Sequence, residues 1–258
     1  MQKKVYNLEP VSTGDGSYTL FSNQFKQHYH SVKEGALNES LYKHVIPAFE
    51  YHKNKDQLYI LDICFGLGYN TLATLYYLKI NNISKKVYIY SPEFDKQLIK
   101  SLKNFSYPKE FEQFKYIIDI LANDFYYSDD QISIELFIGD ARDYIVKLKD
   151  KVKFDIVYQD AFSSDQNPRL WSVEYFNDIG QICGDDAVIT TYSIATPIRL
   201  SIYINGFNIY EYKPENTNRI TIALKNSDIA KNQRYKYIDM ELKKQRNKEA
   251  KPLFDKKD

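Results

Sequence analysis

Cysteine is scarce in this sequence, and no stretch of it is apolar enough to cross a membrane. The 258 residues include only two cysteines, Cys64 and Cys183, too few for a disulfide framework or a zinc site by themselves. No apolar run approaches the ~20 residues of a transmembrane helix, and the first residues lack the apolar stretch of a signal peptide. We therefore expect a cytoplasmic protein that does not contact the membrane.

An excess of charge of either sign is also missing. Lys and Arg number 35 against 34 Asp and Glu, which excludes a broadly polybasic protein but leaves room for a local basic face. Hydrophobic residues make up 43% of the chain, enough to bury a substantial core. The four histidines and two cysteines show no metal-ligand spacing, so we predict no metal site.

Short apolar runs alternate with helix-like segments through most of the chain. The predicted strands are 58–65, 87–91, 132–138, 154–158, 187–192, 207–212 and 219–224, with helices at 71–80, 96–122, 141–148, 173–182 and 197–205. This alternation predicts a parallel sheet covered on both faces, closed by a hairpin whose last strand is antiparallel. The expected fold class is α/β, a doubly wound, seven-stranded, Rossmann-like sheet with its ligand site at the carboxyl ends of the strands.

Three regions are expected along the chain. Residues 1–50 are predicted to form a small N-terminal extension packed on the core, with a hairpin followed by a helix over about 37–52. Residues 51–230 are predicted to form the main domain, and 231–258 a basic C-terminal tail. The sequence contains no internal repeat and no low-complexity linker, which favours one domain with an extension.

The loop after the first strand carries the strongest local signal. Glycines where a strand becomes a helix allow a tight turn and close approach of a ligand to free backbone N–H groups. Gly66 and Gly68 fit the dinucleotide pattern G-x-G-x-x-G, but Thr71 stands at the third glycine. The acidic-x-Gly-x-Gly-x-Gly pattern of S-adenosylmethionine (SAM) sites fits Asp62, Gly66 and Gly68, with Cys64 at the first glycine. A tight turn without a ligand remains the alternative.

Acidic residues follow the next two strands. Glu93, with Asp95 as second choice, ends the second strand, where a carboxylate can accept both hydroxyls of a ribose. Asp140 follows the third strand, where it can accept from an adenine amino group. Each acid alone is better explained as a helix cap or a surface acid. Together with Asp62 they predict an adenosine-binding site.

The loop after the fourth strand faces the reactive end of the cofactor in this fold. Asp160 there can orient an amine or take up the proton released when the amine is alkylated. Phe162 and Trp171 are candidates for the pocket wall, and Trp171 fits the core equally well. Because methyl transfer from a sulfonium is an in-line displacement, the protein mainly supplies alignment and a dry pocket.

Six segments occur in the order found in a known family. They are DGSYTLFS at 15–22, YHS at 29–31, ALNES at 36–40, FGLGYN at 65–70, GDARD at 139–143, and DAF, NP and LW within 160–171. Over about 15–224, the chain resembles the bacterial SAM-dependent methyltransferase that completes 5-methylaminomethyl-2-thiouridine at the tRNA wobble position. In many bacteria that enzyme is the N-terminal half of a bifunctional protein whose other half is an FAD-dependent oxidase.

The resemblance implies that the amine of a 5-aminomethyl-(2-thio)uridine at the wobble position of tRNA takes a methyl group from SAM. It implies catalytic roles for Asp160 and Phe162. Cofactor contacts are expected from Asp62, Gly66, Gly68, Asn70, Glu93, Asp140, Ala141 and Asp160, and substrate contacts from Tyr29, Glu39, Asn167 and Trp171. A local basic rim for tRNA is expected from Lys26, Lys33, Lys43, Arg169 and the tail.

The chain departs from the family pattern at several positions. Family members commonly have Gly where Ala161 stands, Thr and Leu at the positions of Leu67 and Tyr69, and Gly at the position of Cys64. A side chain at Cys64 is expected to crowd the cofactor and lower its affinity. The length leaves no room for an FAD domain, so a stand-alone methyltransferase is expected.

Two other functions fit parts of the same pattern. An aminopropyltransferase of the spermidine synthase type shares the fold and places an aspartate after the fourth strand, although its first loop usually has more glycines than Gly66 and Gly68. A non-catalytic RNA-binding relic is the other alternative, because Cys64 alters the cofactor loop.

Overall fold

The computed structural model describes residues 9–226 and 234–256. Its strands, in chain order, are β1 Val11–Ser12, β2 Tyr18–Thr19, β3 Phe21–Ser22, β4 Gln27–His28, β5 Gln57–Ile63, β6 Lys86–Glu93, β7 Tyr126–Ser128, β8 Ile132–Ile138, β9 Phe154–Gln159, β10 Cys183–Thr191, β11 Asn208–Tyr212, β12 Ile220–Leu224 and β13 Lys236–Tyr237. Strands β5 to β13 form one nine-stranded sheet in the order β13-β11-β12-β10-β9-β5-β6-β8-β7.

The helices connect these strands and cover both faces of the sheet. They are α1 Ala36–Asn38 and α2 Ile46–Tyr51, joined by a π-helical segment Glu39–Val45, then α3 Tyr69–Ile80, α4 Lys96–Ser101, α5 Lys115–Asp124, α6 Ala141–Leu148, α7 Val173–Ile182, α8 Thr196–Tyr203 and α9 Met240–Arg246. The predicted helix 96–122 is interrupted by 3-10 turns at Leu102–Asn104 and Lys109–Phe114. Pro108, which cannot continue a helix, lies just before the second of these turns.

The prediction of a doubly wound, seven-stranded sheet is confirmed. Strands β8, β6, β5, β9 and β10 run parallel to one another, whereas β12 is antiparallel to both β10 and β11. The two additional strands, β7 and β13, are short edge strands of 3 and 2 residues. Because they are so short, they leave no alternating apolar pattern in the sequence.

Apolar side chains alternate along the central strands and supply a core to each face of the sheet. Leu58 and Ile60 of β5 belong to one buried cluster, and Leu61 and Ile63 of the same strand belong to the other. Chain order reverses at β5, between β9 and β6. In doubly wound sheets a crevice opens at such a reversal, beyond the carboxyl ends of the strands.

The N-terminal residues pack against one face of the sheet. Strands β1 and β2 pair with each other, as do β3 and β4. Ala36 and Val45 of the following helical segment are fully buried in the same cluster as Leu58. The predicted boundary at residue 50 remains a prediction.

The described part of the C-terminal region returns to the core. Strand β13 pairs with β11, and the Val173 N–H at the start of α7 donates to the carbonyl oxygen of Leu253 at 2.7 Å. Asp255 forms an ion pair of 2.7 Å with Arg142. The part of the predicted tail that falls on 231–233 and 257–258 lies outside the described residues. Within 9–226 and 234–256, no helix is long and apolar enough to span a membrane.

Candidate active site

A cavity of about 1040 Å³ opens at the carboxyl ends of β5, β6, β8 and β9. The hairpin of β3 and β4 forms part of its wall, so the N-terminal region helps to enclose it. The predicted site residues that line the cavity are Tyr29, Glu39, Gly66, Asn70, Glu93, Asp140, Ala141, Asp160, Phe162 and Asn167. The structure therefore brings together residues that are widely separated in the sequence. Asp62, Gly68 and Trp171 do not line the cavity.

The turn after β5 is shaped by its backbone. Cys64, Gly66 and Gly68 have φ angles of 68°, 54° and 76°, in the left-handed region that favours glycine. Gly68 is the N-cap of α3, and a Cβ added there would lie 2.9 Å from the ring of Phe65. Gly68 thus shapes the turn without facing the cavity. The same backbone angle explains why glycine is typical at the position of Cys64, whose side chain lines the cavity.

Glu93 is buried at the end of β6 and lines the cavity. Its carboxylate oxygens accept hydrogen bonds from the backbone N–H groups of Gly66 and Asp95, each at 2.9 Å. Burial raises the pKa of Glu93 to about 7, although these hydrogen bonds oppose the shift. Asp95, the second choice for the ribose contact, caps α4 by accepting from the N–H of Gln97 and of Leu98. Glu93 is therefore the acid placed to contact a ligand.

Asp140 lies at the N-terminus of α6 and also lines the cavity. Its Oδ1 accepts from the backbone N–H of Arg142 at 2.8 Å, so it caps the helix as well as lining the cavity. Its Oδ2 lies 3.5 Å from Nη1 of Arg169. Arg142 and Arg169 also line the cavity, and Arg142 is held from behind by Asp255.

Asp160 follows β9 and lines the cavity beside Asn70. Its Oδ2 accepts from Nδ2 of Asn70 at 3.0 Å, and its Oδ1 lies 3.5 Å from Nε2 of His44. Burial raises the pKa of Asp160, but His44, His30 and the Asn70 hydrogen bond together lower it by more. The carboxylate is therefore ionised around neutral pH and can accept hydrogen bonds from a cationic amine.

Asp62 was predicted as a cofactor contact, but it lies beneath the cavity rather than in its wall. The side chain is 1% exposed, and its oxygens accept from Nδ2 of Asn70 at 3.2 Å and from the hydroxyl of Thr71 at 3.1 Å. Burial raises the pKa of Asp62 to about 8, and the nearby charge of Asp160 adds to the shift. Asp62 therefore positions Asn70, whose amide joins the two acids.

Trp171 was predicted as a substrate contact, but its ring is fully buried in the core. Its indole Nε1 donates to the backbone carbonyl of Phe162 at 2.7 Å. The large apolar ring is packed away from the cavity, and its polar edge supports the residue that does line it. Trp171 thus holds the backbone of Phe162 from the core side.

A row of aromatic rings runs from the surface into the cavity. Phe94 is 52% exposed, and its ring centroid lies 5.9 Å from that of Phe25. Phe25 stacks on Phe162 at 4.5 Å, and Phe162 contacts Tyr29 edge-to-face at 5.0 Å. These rings form an apolar surface between the exposed Phe94 and the interior of the cavity, where Asp160 lies.

The basic residues predicted for the rim separate into two groups. Lys26, Lys33 and Arg169 line the cavity, where the two lysines are exposed. Lys43 does not, because it is 5% exposed and forms ion pairs with Glu34 at 2.5 Å and Glu39 at 2.6 Å. The expectation of Lys43 on the rim was therefore wrong.

Glu39 is held from two sides. One carboxylate oxygen pairs with Lys43, and the other accepts from the Ser31 N–H at 2.5 Å.

Two histidines close to Asp160, His30 and His44, were not predicted as site residues from the sequence. A lone histidine gives no functional signal in a sequence without its neighbours in space.

The residues present fit a bound SAM molecule. The acids Glu93 and Asp140 line the walls of the cavity, and its volume can hold the cofactor together with a substrate group. Among the described residues, the buried Oδ1 of Asn70 has no hydrogen-bond partner. Such an unpaired acceptor beside a cavity is a binding group for a ligand's donor.

Comparison with known proteins identifies relatives in sequence and structure. A family model described as S-adenosyl-L-methionine-dependent methyltransferase matches residues 106–226. The crystal structure of MnmC2 from Aquifex aeolicus shares 30% identity, covers 87% of this chain and 72% of its own, and superposes with a TM-score of 0.75. A probable spermidine synthase from Corynebacterium glutamicum, at 12% identity and a TM-score of 0.56 over 97% of this chain and 94% of its own, shares the fold alone.

Curated relatives extend these matches. An uncharacterized protein of Methanocaldococcus jannaschii is 33% identical over 86% of this chain and 61% of its own length. The tRNA 5-methylaminomethyl-2-thiouridine biosynthesis bifunctional protein MnmC of Leptospira interrogans is 26% identical over 76% of this chain and 32% of its own length. The chain spans less than two thirds of the length of either curated relative.

Proposed function

The chain belongs to the family of SAM-dependent methyltransferases that includes MnmC2, and we propose that it methylates the amine of 5-aminomethyl-(2-thio)uridine at the wobble position of tRNA. The observation that carries the proposal is the position of the Asp160 carboxylate, which lines the cavity and is held 3.0 Å from Nδ2 of Asn70 and 3.5 Å from Nε2 of His44. With a tRNA substrate, we propose that the reaction takes place in the cytoplasm.

Glu93, Asp140, Gly66 and Asn70 are the residues proposed to hold the cofactor. Glu93 offers its carboxylate to the ribose hydroxyls, and Asp140 offers Oδ2 to the adenine amino group. Bound SAM supplies a methyl group made electrophilic by the adjacent sulfonium. The aromatic rings around Phe162 exclude water from the site, which keeps the reacting groups aligned and dry.

Asp160 is proposed to orient the substrate amine. An ionised carboxylate accepts hydrogen bonds from a cationic amine and thereby fixes the direction of its nitrogen. Because the pKa of Asp160 is lowered, it is better suited to this orienting role than to retaining a proton. Asn70 and His44 restrict the carboxylate from two sides.

The mouth of the cavity fits a single nucleotide extruded from an RNA loop. Phe94, Phe25 and Phe162 provide stacking faces, and unpaired bases stack on such rings in RNA-binding proteins. Lys26 and Lys33 place positive charge beside the same opening for backbone phosphates. Such a local rim serves RNA binding although the net charge of the chain is only +1.

Nucleoside mass spectrometry of tRNA from a strain lacking the gene tests the proposal. Accumulation of 5-aminomethyl-2-thiouridine, reversed by the wild-type gene but not by Asp160→Asn, is the expected result. Unchanged modified nucleosides in the deletion strain would contradict it.

An aspartate after the fourth parallel strand also suits an aminopropyltransferase, the second candidate. Calorimetry with SAM and with decarboxylated SAM separates the two. Binding of SAM is expected, whereas preference for decarboxylated SAM favours aminopropyl transfer, and binding of neither favours an RNA-binding relic.

A further inference from the structure

His44 is a buried histidine that contacts Asp160 from outside the cavity. It lies on the π-helical segment Glu39–Val45 and is 1% exposed. Its Nδ1 is 2.9 Å from the hydroxyl oxygen of Thr190, and its Nε2 is 3.5 Å from Oδ1 of Asp160. Each ring nitrogen of His44 therefore faces an oxygen atom of another side chain. π-helical turns are rare and occur often at functional sites.

The proposed substrate creates a need for a proton acceptor. An aliphatic amine is mostly protonated at neutral pH, as lysine is, and its nitrogen then has no lone pair for attack on a methyl group. Asp160 faces the cavity, but its lowered pKa makes it a poor group to keep the proton. His44 contacts Asp160 on the side away from the cavity. Histidine is the side chain that most readily changes charge near neutral pH.

We propose that His44 holds the proton that the substrate amine must lose, with Asp160 passing it on; this inference rests on the proposed function. An ammonium N–H bond breaks and leaves its electron pair on nitrogen. The proton passes to the Asp160 carboxylate and from there to the lone pair of Nε2, where an N–H bond forms. The cationic amine and neutral imidazole become a neutral amine and an imidazolium, so charge is conserved.

The surroundings of His44 suit this role. The transfer requires the tautomer with the proton on Nδ1, which donates to the hydroxyl oxygen of Thr190 and leaves the lone pair on Nε2, the nitrogen that faces Asp160. Tyr158 of β9 places its ring edge-to-face at 5.7 Å. His30 lies nearby, just after β4, and burial lowers its pKa, so it stays neutral beside His44. Asp160 is thus the anionic group in direct contact with the imidazole.

The first experiment measures the pair without cofactor or substrate. The histidine ring signals of the ligand-free protein are followed by NMR against pH, and His44 is identified by the signal missing from His44→Gln. Asp160→Asn is expected to lower the midpoint of the His44 titration, because the imidazolium loses its anionic partner. An unchanged midpoint would overturn the proposed transfer.

The second experiment measures kcat against pH with tRNA containing 5-aminomethyluridine. Gln at position 44 can fill the space beside Asp160 with a polar side chain but cannot take a proton, so His44→Gln separates proton uptake from positioning. We expect kcat to fall by ~100-fold near neutral pH and to recover as the pH rises, because free amine then forms in solution. KM for tRNA and the Kd for SAM should stay within about threefold of wild type.

His52 provides a matched control. It is a buried histidine close in sequence, 4% exposed, whose Nε2 lies 3.0 Å from the carbonyl oxygen of Asp155. His52→Gln should keep the wild-type pH profile. A wild-type profile in His44→Gln would overturn the proposal, and His44→Asn repeats the test if His44→Gln fails to fold. A titration of His44 coupled to Asp160, without methylation of the tRNA, would instead reject the proposed function.

Discussion

The turn after β5 (residues 64–68) and the loop after β9 (residues 160–171) end adjacent parallel strands but are held in different ways. The turn depends on backbone geometry, with positive φ at Cys64, Gly66 and Gly68. The loop depends on side chains, notably the hydrogen bond from Trp171 to the Phe162 carbonyl. A substitution in the turn therefore acts on backbone conformation, whereas one in the loop acts on a distant partner.

The acids of these two regions differ as well. Asp62, just before the turn, and Asp160, at the start of the loop, both accept from Nδ2 of Asn70. Burial raises the pKa of Asp62 to about 8, whereas the histidines around Asp160 bring its pKa below the usual value. Both carboxyl groups are buried, so the charges of their neighbours decide which of the two acids is ionised at neutral pH.

The largest expected effect is the loss of catalysis on removing the ionised acid. Asp160→Ala should lower kcat by ~1,000-fold, because the amine loses both its orienting partner and its proton path. The Kd for SAM, measured by calorimetry, should change by only a few fold. Asp62→Asn is the control and should retain most of the activity. A collapse of SAM binding in Asp160→Ala would assign Asp160 to cofactor binding alone.

The two acids should also affect stability with opposite pH dependence. Between the unfolded pKa of Asp, about 3.9, and its native value of about 8, Asp62 keeps a proton that the unfolded chain releases. Stability therefore falls as pH rises through this window, and Asp62→Asn should gain stability relative to wild type from about pH 5 to about pH 8.

For Asp160 the sign reverses. Its native pKa is lowered, so its contribution to stability is present above the unfolded pKa and is lost as pH falls through the native pKa. Asp160→Asn should therefore cost most near neutral pH and less in acid. Urea unfolding at several pH values measures both variants, and parallel trends would contradict the assignment of opposite charge states.

The support of the loop can be tested at Trp171. Trp171→Phe removes the indole donor, leaves the carbonyl of Phe162 without that partner, and should cost about 1–3 kcal/mol of stability. We expect kcat to fall several-fold with little change in the Kd for SAM. Tyr144→Phe, which removes a hydrogen bond to Glu135 away from the cavity, is the control. Equal kcat values in the two variants would show that Phe162 needs no such support.

The smallest effect is expected in the turn. Cys64→Gly relieves a left-handed backbone conformation that costs a non-glycine residue about 1–2 kcal/mol, and SAM affinity should be kept or improved. Cys64→Ala keeps the strain but removes the thiol, so it separates the two contributions. Calorimetry measures the affinity, and a large drop in Cys64→Gly would show that the thiol packs productively.

The sequence was most informative where strand pattern and residue type coincide. Buried strands followed by Gly66, Glu93, Asp140 and Asp160 predict one edge of a parallel sheet, because the ends of parallel strands meet there. These side chains do line one cavity. The regular alternation of strands and helices also predicted the fold, because such alternation is typical of a parallel sheet covered by helices.

Contacts between distant segments could not be predicted in this way. Trp171 has the same sequence pattern whether it lines a pocket or supports Phe162 from the core. Lys43 lies on a helix beside Glu39, but its second partner and its burial follow from packing. His44 becomes significant only when Asp160, more than one hundred residues away in the chain, is placed beside it.

A crystal structure of the protein with S-adenosylhomocysteine tests the central claim most directly. We predict that the ribose lies at Glu93, the adenine at Asp140, and the sulfur towards the Asp160 carboxylate. An adenosyl group bound elsewhere, or the Cys64 thiol occupying the space of the amino-acid tail, would contradict it.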